Sequence, residues 1–284
     1  MRLIKEVRKG KVYQNENNVI RLETEQKEFD IIVISDAHLD NPKTNKKWLH
    51  SQLDKYKDAY IIIDGDSIDM MQAKGDPRSD KDSLAPELKT KSYVNKVVRM
   101  LRDLEKKYRD RLIGINRGNH DNEYWRRHDI DILDIALGDK IPIGDFCGYY
   151  VIVSNKYGKV NSNVIYYQHA PYSGGKRSKG MLSVDILKGQ RHGVDIFLTG
   201  HIHDNYHTLQ ASWDFNVRNN REIKKKQWFI QQTTLKQEDE DRNGFHAERI
   251  KAGAGIQGFN ILSFKVATSN GTIKMEMTPQ LISI

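Results

Sequence analysis

The segment TGHIHD (199–204) places His201 and His203 one residue apart, directly after the apolar run VDIFL. Four other apolar runs end in the same way. EFDIIVISDAHLD (28–40) ends in Asp36 and His38, and DAYIIIDGDSID (58–69) carries Asp66. RLIGINRGNHD (111–121) ends in Asn119, His120 and Asp121, and SNVIYYQHAPYSGG (162–175) carries His169. D-x-H and H-x-H spacings put two side chains on one side of an extended segment, because side chains alternate with period two. Imidazole with carboxylate, and no thiolate, suits Mn, Fe, Zn and similar divalent ions. These donors outnumber what one ion takes up, and two ions sharing a carboxylate would use them. Two-metal sites hold their ions roughly 3.5–4 Å apart, clamping the attacking and leaving oxygens of a phosphoryl displacement. One isolated histidine is usually a satisfied core group and one loop aspartate a cap. Five such strand ends in one chain argue against that reading.

The elements that would carry these residues are legible. Each run is about five residues long and rich in Ile and Val, as suits a strand buried on both faces. Between the first two lies TNKKWLHSQLDKYK, with Trp48, Leu49, Leu53 and Tyr56 at helical spacing. Between the second and third, Val94, Val97, Val98, Leu101 and Leu104 mark an amphipathic helix. A further helix is expected over 122–137. Strand, helix, strand is the pattern of parallel crossover units, whose functional groups gather beyond the carboxyl ends of the strands. Hairpins are expected at 10–22, 148–168, 206–233 and 259–277, and a polar loop at 235–257. The simplest organisation is one domain over 1–284, with a hairpin and loop elaboration at about 205–257.

The 284 residues carry a net charge of +8 with pI ≈ 9.3 and mean hydropathy −0.70. That balance suits an anionic partner as well as plain solubility. The single cysteine, Cys147, excludes an intramolecular disulfide and a cysteine-built zinc site, and beside YYVIV it reads as a small buried residue. The apolar stretches are shorter than a membrane span, and MRLIKEVRKGKVY lacks the apolar segment of a secretory leader. A cytoplasmic location is expected, with neither a membrane nor an obligate protein partner.

The motifs DAH (36–38), GDSID (65–69), GNHD (118–121), His169 in YYQHA and GHIH (200–203) occur in order. In this the chain resembles the calcineurin-like metallophosphoesterases, whose pattern is D-x-H, G-D-x-x-D, G-N-H-D/E, H and G-H-x-H, each after a strand. The resemblance spans about residues 30–204. It implies an α/β fold, a four-layer α/β/β/α sandwich of two mixed sheets flanked by helices. It implies a hydrolase holding two divalent ions, Mn first, with Fe, Zn, Ni or Mg as alternatives, and a metal-bridging hydroxide as nucleophile. By position, Asp36, His38, Asp66 and His203 match the ligands of one ion. Asp66, Asn119, His169 and His201 match those of the other, so Asp66 matches the bridge. His120 matches the non-ligand histidine that faces the leaving group, and Asp121 is expected to orient it. Asp64 and Asp69 are expected to support the site or cap loops. Ala170 follows His169 where the family commonly has glycine.

The resemblance implies a phosphate-ester substrate. Lys176, Arg177 and Lys179 in SGGKRSKG (173–180) follow His169 on a Gly-rich loop and are candidate phosphate contacts. Trp125, Arg126 and Arg127 follow GNHD and would rim the site. Lys224, Lys225 and Lys226 lie near Trp213, Phe215 and Trp228; basic groups among aromatics suit single-stranded nucleic acid. The favoured reading there is a solvated hairpin with its aromatics in the core. His50, His128, His192, His207 and His246 are expected at the surface. The leading reading is a phosphodiesterase or nuclease on DNA or RNA. A phosphatase or pyrophosphatase for a small nucleotide, lipid-linked nucleotide or phosphoprotein comes second, and an inactive scaffold third.

Overall fold

The computed structural model describes all residues except 71–85, 90–91, 157–159, 170–180, 218–219, 238–255 and 270–271. In chain order the strands are β1 (Arg2–Val7), β2 (Gly10–Gln14), β3 (Val19–Thr24), β4 (Glu28–Ser35), β5 (Tyr60–Asp64), β6 (Leu112–Asn116) and β7 (Ile143–Gly144). They continue as β8 (Cys147–Ser154), β9 (Asn161–Gln168), β10 (Ile196–Thr199), β11 (Tyr206–Asn216), β12 (Arg221–Gln231), β13 (Gly258–Ser269) and β14 (Thr272–Ser283). The helices are α1 (Lys46–Lys55), α2 (Tyr93–Tyr108), α3 (Asn119–His128), α4 (Ile132–Leu137) and α5 (Met181–Gln190).

An eight-stranded sheet runs β1-β2-β3-β8-β9-β10-β12-β11, and a six-stranded sheet runs β14-β13-β4-β5-β6-β7. Both are mixed. β4, β5, β6 and β7 pair in parallel while β13 pairs antiparallel to β4. β10 is parallel to both β9 and β12, whereas β8 and β9 form an antiparallel hairpin. Three apolar cores separate the layers. Leu49, Leu53, Val97 and Leu101 of α1 and α2 pack on Ile32, Ile61 and Ile63 of the six-stranded sheet. Ile31, Val33 and Ile62 face Tyr150, Ile165 and Leu198 between the sheets. Leu187 of α5 packs on Tyr166, Phe197 and Phe229 of the eight-stranded sheet. The order is therefore helix, sheet, sheet, helix, the expected four layers.

All five motif-bearing runs are strands, but they divide between the sheets: β4, β5 and β6 in one, β9 and β10 in the other. Both groups aim their carboxyl ends the same way, so the loops converge across the sandwich. The helix expected at 122–137 is two helices. α3 closes at Asp129, in the left-handed region at φ 57, whose N–H bonds Trp125 O. The carboxylate of Asp131 then accepts from Asp134 N to start α4. That N-cap lies inside an otherwise helical pattern. Among the described residues no helix is long and apolar enough to cross a membrane.

Leu101 sits 1% exposed at the centre of the α2 contact. Leu101→Ala should lower the unfolding free energy by about 2–5 kcal/mol, read from urea denaturation. Metal content should be unchanged, because α2 carries none of the motif residues.

Candidate metal centre

The loops beyond the strands have an unusual backbone. Asp36 (φ 48), His38 (φ 44), Asp66 (φ 45), His201 (φ 75) and His203 (φ 57) all occupy the left-handed region. Side chains other than glycine rarely adopt it, and it persists where surrounding bonds over-determine it. Those bonds are present. Asp36 N donates to Gly65 O at 3.2 Å, His38 N to Asp66 O at 3.0 Å and Leu39 N to Ser67 O at 2.9 Å, lacing the β4 loop to the β5 loop. Thr234 Oγ1 donates to Asp36 O at 2.8 Å. Gly65 lies at φ 76, and a Cβ there would stand 2.3 Å from His169 Nδ1. A Cβ on Gly118 would stand 2.0 Å from Asp66 Oδ1. Only glycine lets these loops close around the two side chains.

The side chains then meet. Asp36 Oδ1 lies 3.0 Å from His203 Nε2 and 3.8 Å from His169 Nε2. Its Oδ2 accepts from Ser35 Oγ at 2.5 Å and from His201 N at 3.0 Å. Asp66 Oδ2 lies 3.1 Å from His169 Nε2 and 3.9 Å from His120 Nε2, and Oδ1 accepts from His120 N at 2.8 Å. Asn119 Oδ1 is 3.1 Å from His169 Nε2. Among the described residues three sets have ligand atoms within 4.8 Å of one another: Asp36, His38 and His203; Asp66, His169 and His201; His38, Asp69 and His120. Asp36, His38, Asp66, Asp69 and His169 are buried. His38 Nε2 is a buried nitrogen without a hydrogen-bond partner among the described residues. An unpaired buried imidazole nitrogen among carboxylates, with no cysteine in the donor sets, fits a divalent ion.

Residues 29–205 match the calcineurin-like phosphoesterase family. The chain belongs to this family. It is a family of metal-dependent phosphoesterases built around two ions, and the matched span runs from β4 through the loop after β10. No curated protein matches the sequence. Among solved structures, the chain is similar to Vacuolar Protein Sorting 29 from Cryptosporidium parvum, at 12% identity and TM-score 0.42 over 90% of this chain and 100% of that one. It is also similar to GAP50, the anchor in the inner membrane complex of Plasmodium, at 11% identity and TM-score 0.41 over 91% and 90%.

In this member of the calcineurin-like phosphoesterases, electrostatics follow from burial. Desolvation would raise the Asp36 and Asp66 carboxyls, yet both are held below the ordinary carboxylate range. His169 and His203 do this for Asp36, and His169 and His120 for Asp66. Reciprocally, desolvation would lower His169, but Asp66 and Asp36 raise it to about 10. Asp69 resists desolvation through His38 and Lys236 and lies well below its ordinary value. Asp64 is raised to about 6 by burial; it accepts from Asn116 Nδ2 at 2.8 Å and from Gln232 Nε2, bridging β5 to β6 and the segment after β12.

The expected role of Asp121 changes. Asp121 was expected beside His120, but its oxygens accept from Gly118 N at 2.8 Å and Ser67 Oγ at 3.1 Å. It caps α3 from the first turn, and no hydrogen bond joins it to His120 among the described residues. The group at His120 is Asp69: His120 Nδ1 lies 2.8 Å from Asp69 O and 3.7 Å from Asp69 Oδ1. Asp69 Oδ1 also lies 2.6 Å from His38 Nδ1, in ion-pair contact. Its place three residues after Asp66 was the available signal. Asp40 and Lys236 escaped sequence reasoning altogether. Asp40 is buried and accepts from Asp69 N at 2.5 Å, Met70 N at 3.1 Å and Tyr93 OH, which fixes the GDSID loop. Lys236 Nζ lies 3.7 Å from Asp69 Oδ2, from within the segment read as a polar loop. Lys176, Arg177 and Lys179 lie outside the described residues. Cys147 is only half-buried, against the outer core of the eight-stranded sheet. His50, His128 and His207 are half-buried rather than surface groups; His50 Nδ1 lies 2.6 Å from Tyr108 OH and His207 Nε2 2.7 Å from Asn260 Oδ1.

A donor set that binds a divalent ion must surrender the proton His169 carries below about pH 10. Ion binding should therefore release protons, and apparent affinity should rise with pH through the neutral range. Titration calorimetry of Mn²⁺ in buffers of different ionisation enthalpy measures this. Binding that is independent of pH and buffer would exclude His169 from the ion site.

Proposed function

We propose that this chain is a two-metal phosphodiesterase acting on nucleic acid, organised as one domain with the 205–257 segment as an elaboration. The observation that carries the reading is the meeting of donors from five strand ends in two sheets: Asp36, His38 and His203 in one set, Asp66, His169 and His201 in another, with Asn119 against His169. Asp36, His38, Asp66 and His203 would hold one ion. Asp66, Asn119, His169 and His201 would hold the other. When bound, the ions supply Lewis acidity towards the phosphoryl oxygens and lower the pKa of water into a usable range.

The chain's own residues have distinct tasks. Asp69 fixes the ring of His38 by contact with Nδ1, as carboxylates commonly do for ligating imidazoles. His120 is partly exposed, as Asn119, His201 and His203 are, and so can meet a leaving group. A carbonyl oxygen only accepts, so the contact with Asp69 O keeps a proton on His120 Nδ1. Nε2 is then the atom that holds and delivers the second proton to the departing oxygen. The net charge of +8 supports a polyanionic substrate. So do Trp125, Arg126 and Arg127, exposed on α3 one to two turns beyond His120.

Asp66→Ala should abolish hydrolysis and remove most bound metal, because it takes a donor from both ions. Two full equivalents retained on metal analysis would sink the shared-carboxylate assignment.

His120→Asn should keep its metal and lower kcat by about 10²–10⁴-fold, the usual worth of a general acid. The loss should shrink for nitrophenyl esters, which need little protonation; equal losses on nitrophenyl and alkyl esters would remove the acid role. The substrate class is tested by a panel in Mn²⁺ of single- and double-stranded DNA, RNA, nucleotides and the mono- and bis-nitrophenyl phosphates. Turnover of nucleotides alone moves the reading to a small-substrate phosphatase or pyrophosphatase. No turnover of any ester moves it to an inactive scaffold.

A further inference from the structure

The β11–β12 hairpin runs past the end of the sandwich. In its register His207 faces Ile230, Leu209 faces Trp228, Ala211 faces Lys226, Trp213 faces Lys224 and Phe215 faces Glu222. Directly opposed residues share a face. Ile230 lies in the core between the sheets, and Trp228 packs at its border, donating its indole N–H to Met277 O at 3.1 Å. Beyond Trp228 the same face is bare: Leu209 is 45%, Trp213 70% and Phe215 54% exposed. On the opposite face Gln210, Ser212, Ile223 and Lys225 are half-buried, while Asp214 and Arg221 nearer the tip are exposed. Burial is therefore inverted against polarity, since the face with the aromatic rings is the open one. The expectation that this hairpin keeps its aromatics in the core holds in part for Trp228 and fails for Trp213 and Phe215.

An uncovered apolar strip rimmed by charge marks a binding surface. The charge identifies the partner. Lys224 and Lys226 lie on the open face beside the rings, with Arg221 and Lys225 on the same strand, against Asp214 and Glu222. One strand thus presents two rings, Trp213 and Phe215, and its neighbour two ammonium groups, Lys224 and Lys226, with Glu222 opposite Phe215. A second copy docked face to face would bring these lysines together, which like-charge repulsion opposes. We propose that the outer half of the β11–β12 ribbon is a platform for single-stranded nucleic acid. Bases stack on Trp213 and Phe215, and backbone phosphates lie along Lys224 and Lys226.

The platform is separate from the metal centre. β12 runs parallel to β10 and reaches the metal-centre end at Gln231, opposite Thr199. Lys224 lies seven residues before Gln231, about 23 Å along the strand. A strand held there is held outside the reacting groups, so binding does not depend on the phosphodiesterase reading. Only the further claim, that the platform retains long substrates for cleavage, rests on that reading.

The test uses the full-length protein and a labelled dT oligonucleotide in EDTA, where no cleavage intervenes, with folding verified by circular dichroism. Trp213→Ala/Phe215→Ala should weaken binding about ten-fold or more, the scale of one lost stacking contact. Lys224→Ala/Lys226→Ala should flatten the log–log salt dependence by about 1.4, from roughly 0.7 per phosphate. Hydrolysis of bis-p-nitrophenyl phosphate should be unchanged in both variants. Unaltered oligonucleotide affinity in both variants would overturn the platform. So would a dimer of the parent that dissolves in Trp213→Ala/Phe215→Ala, or ribbon-dependent binding of phosphatidylglycerol vesicles without oligonucleotide binding. Ribbon-dependent binding without oligonucleotide cleavage in Mn²⁺ leaves the platform standing and removes the nuclease reading. Cleavage with the same length preference in parent and variants does the reverse.

Discussion

Two buried carboxylates set the terms for this structure. Asp36 and Asp66 are removed from solvent, and a carboxylate without water is tolerated only beside positive charge and hydrogen-bond donors. In the protein alone, imidazoles meet that need: His203 and His169 against Asp36, and His169 against Asp66. A divalent ion with neutral imidazoles answers the same need with more charge in less space. The histidines are thus matched to the carboxylates before any ion is considered. Asp69 repeats the arrangement one layer out, where His38 and Lys236 balance it.

Holding these charges together requires backbone that the residues themselves do not favour. Five of the seven candidate donors sit at positive φ, and none of the five is glycine. The strain is sustained by bonds between neighbouring loops and by Thr234 and Asp40, each reaching in from outside the motifs. Parallel strands make the lacing possible, because β4 and β5 end side by side in register, with Ser35 opposite Asp64. The second sheet delivers His169 and His201 to the same point from across the core. Neither sheet holds the full donor set.

The two ends of the sandwich follow opposite rules. At the carboxyl ends of β4, β5, β9 and β10, charge is buried and compensated. At the far end of β12, apolar surface is exposed and left uncovered. Both depart from the ordinary partition of polar and apolar groups, and both lie where the regular layers stop. Between them, strands such as β5 and β6 are buried along their whole length and follow the ordinary partition.

The motif residues and the strands that carry them were legible in the sequence, because each rests on local information, and the layer order followed from the family resemblance those motifs carry. Ile-rich runs between polar loops mark strands buried on both faces, and the Val97–Leu104 spacing marks a helix with one apolar side. What could not be read was which carboxylate stands beside which histidine. Asp121 follows His120 directly, yet on a helix the next residue points elsewhere, and the N–H groups at the helix start claim its oxygens. Asp69, fifty-one residues away in the chain, fills the place instead. Asp40 and Lys236 reach the site only because the loops fold over it. The bareness of Trp213 and Phe215 was equally hidden. An alternating strand is written identically whether a second sheet covers it or ends before it, and the length of the covering sheet is a property of the tertiary structure alone.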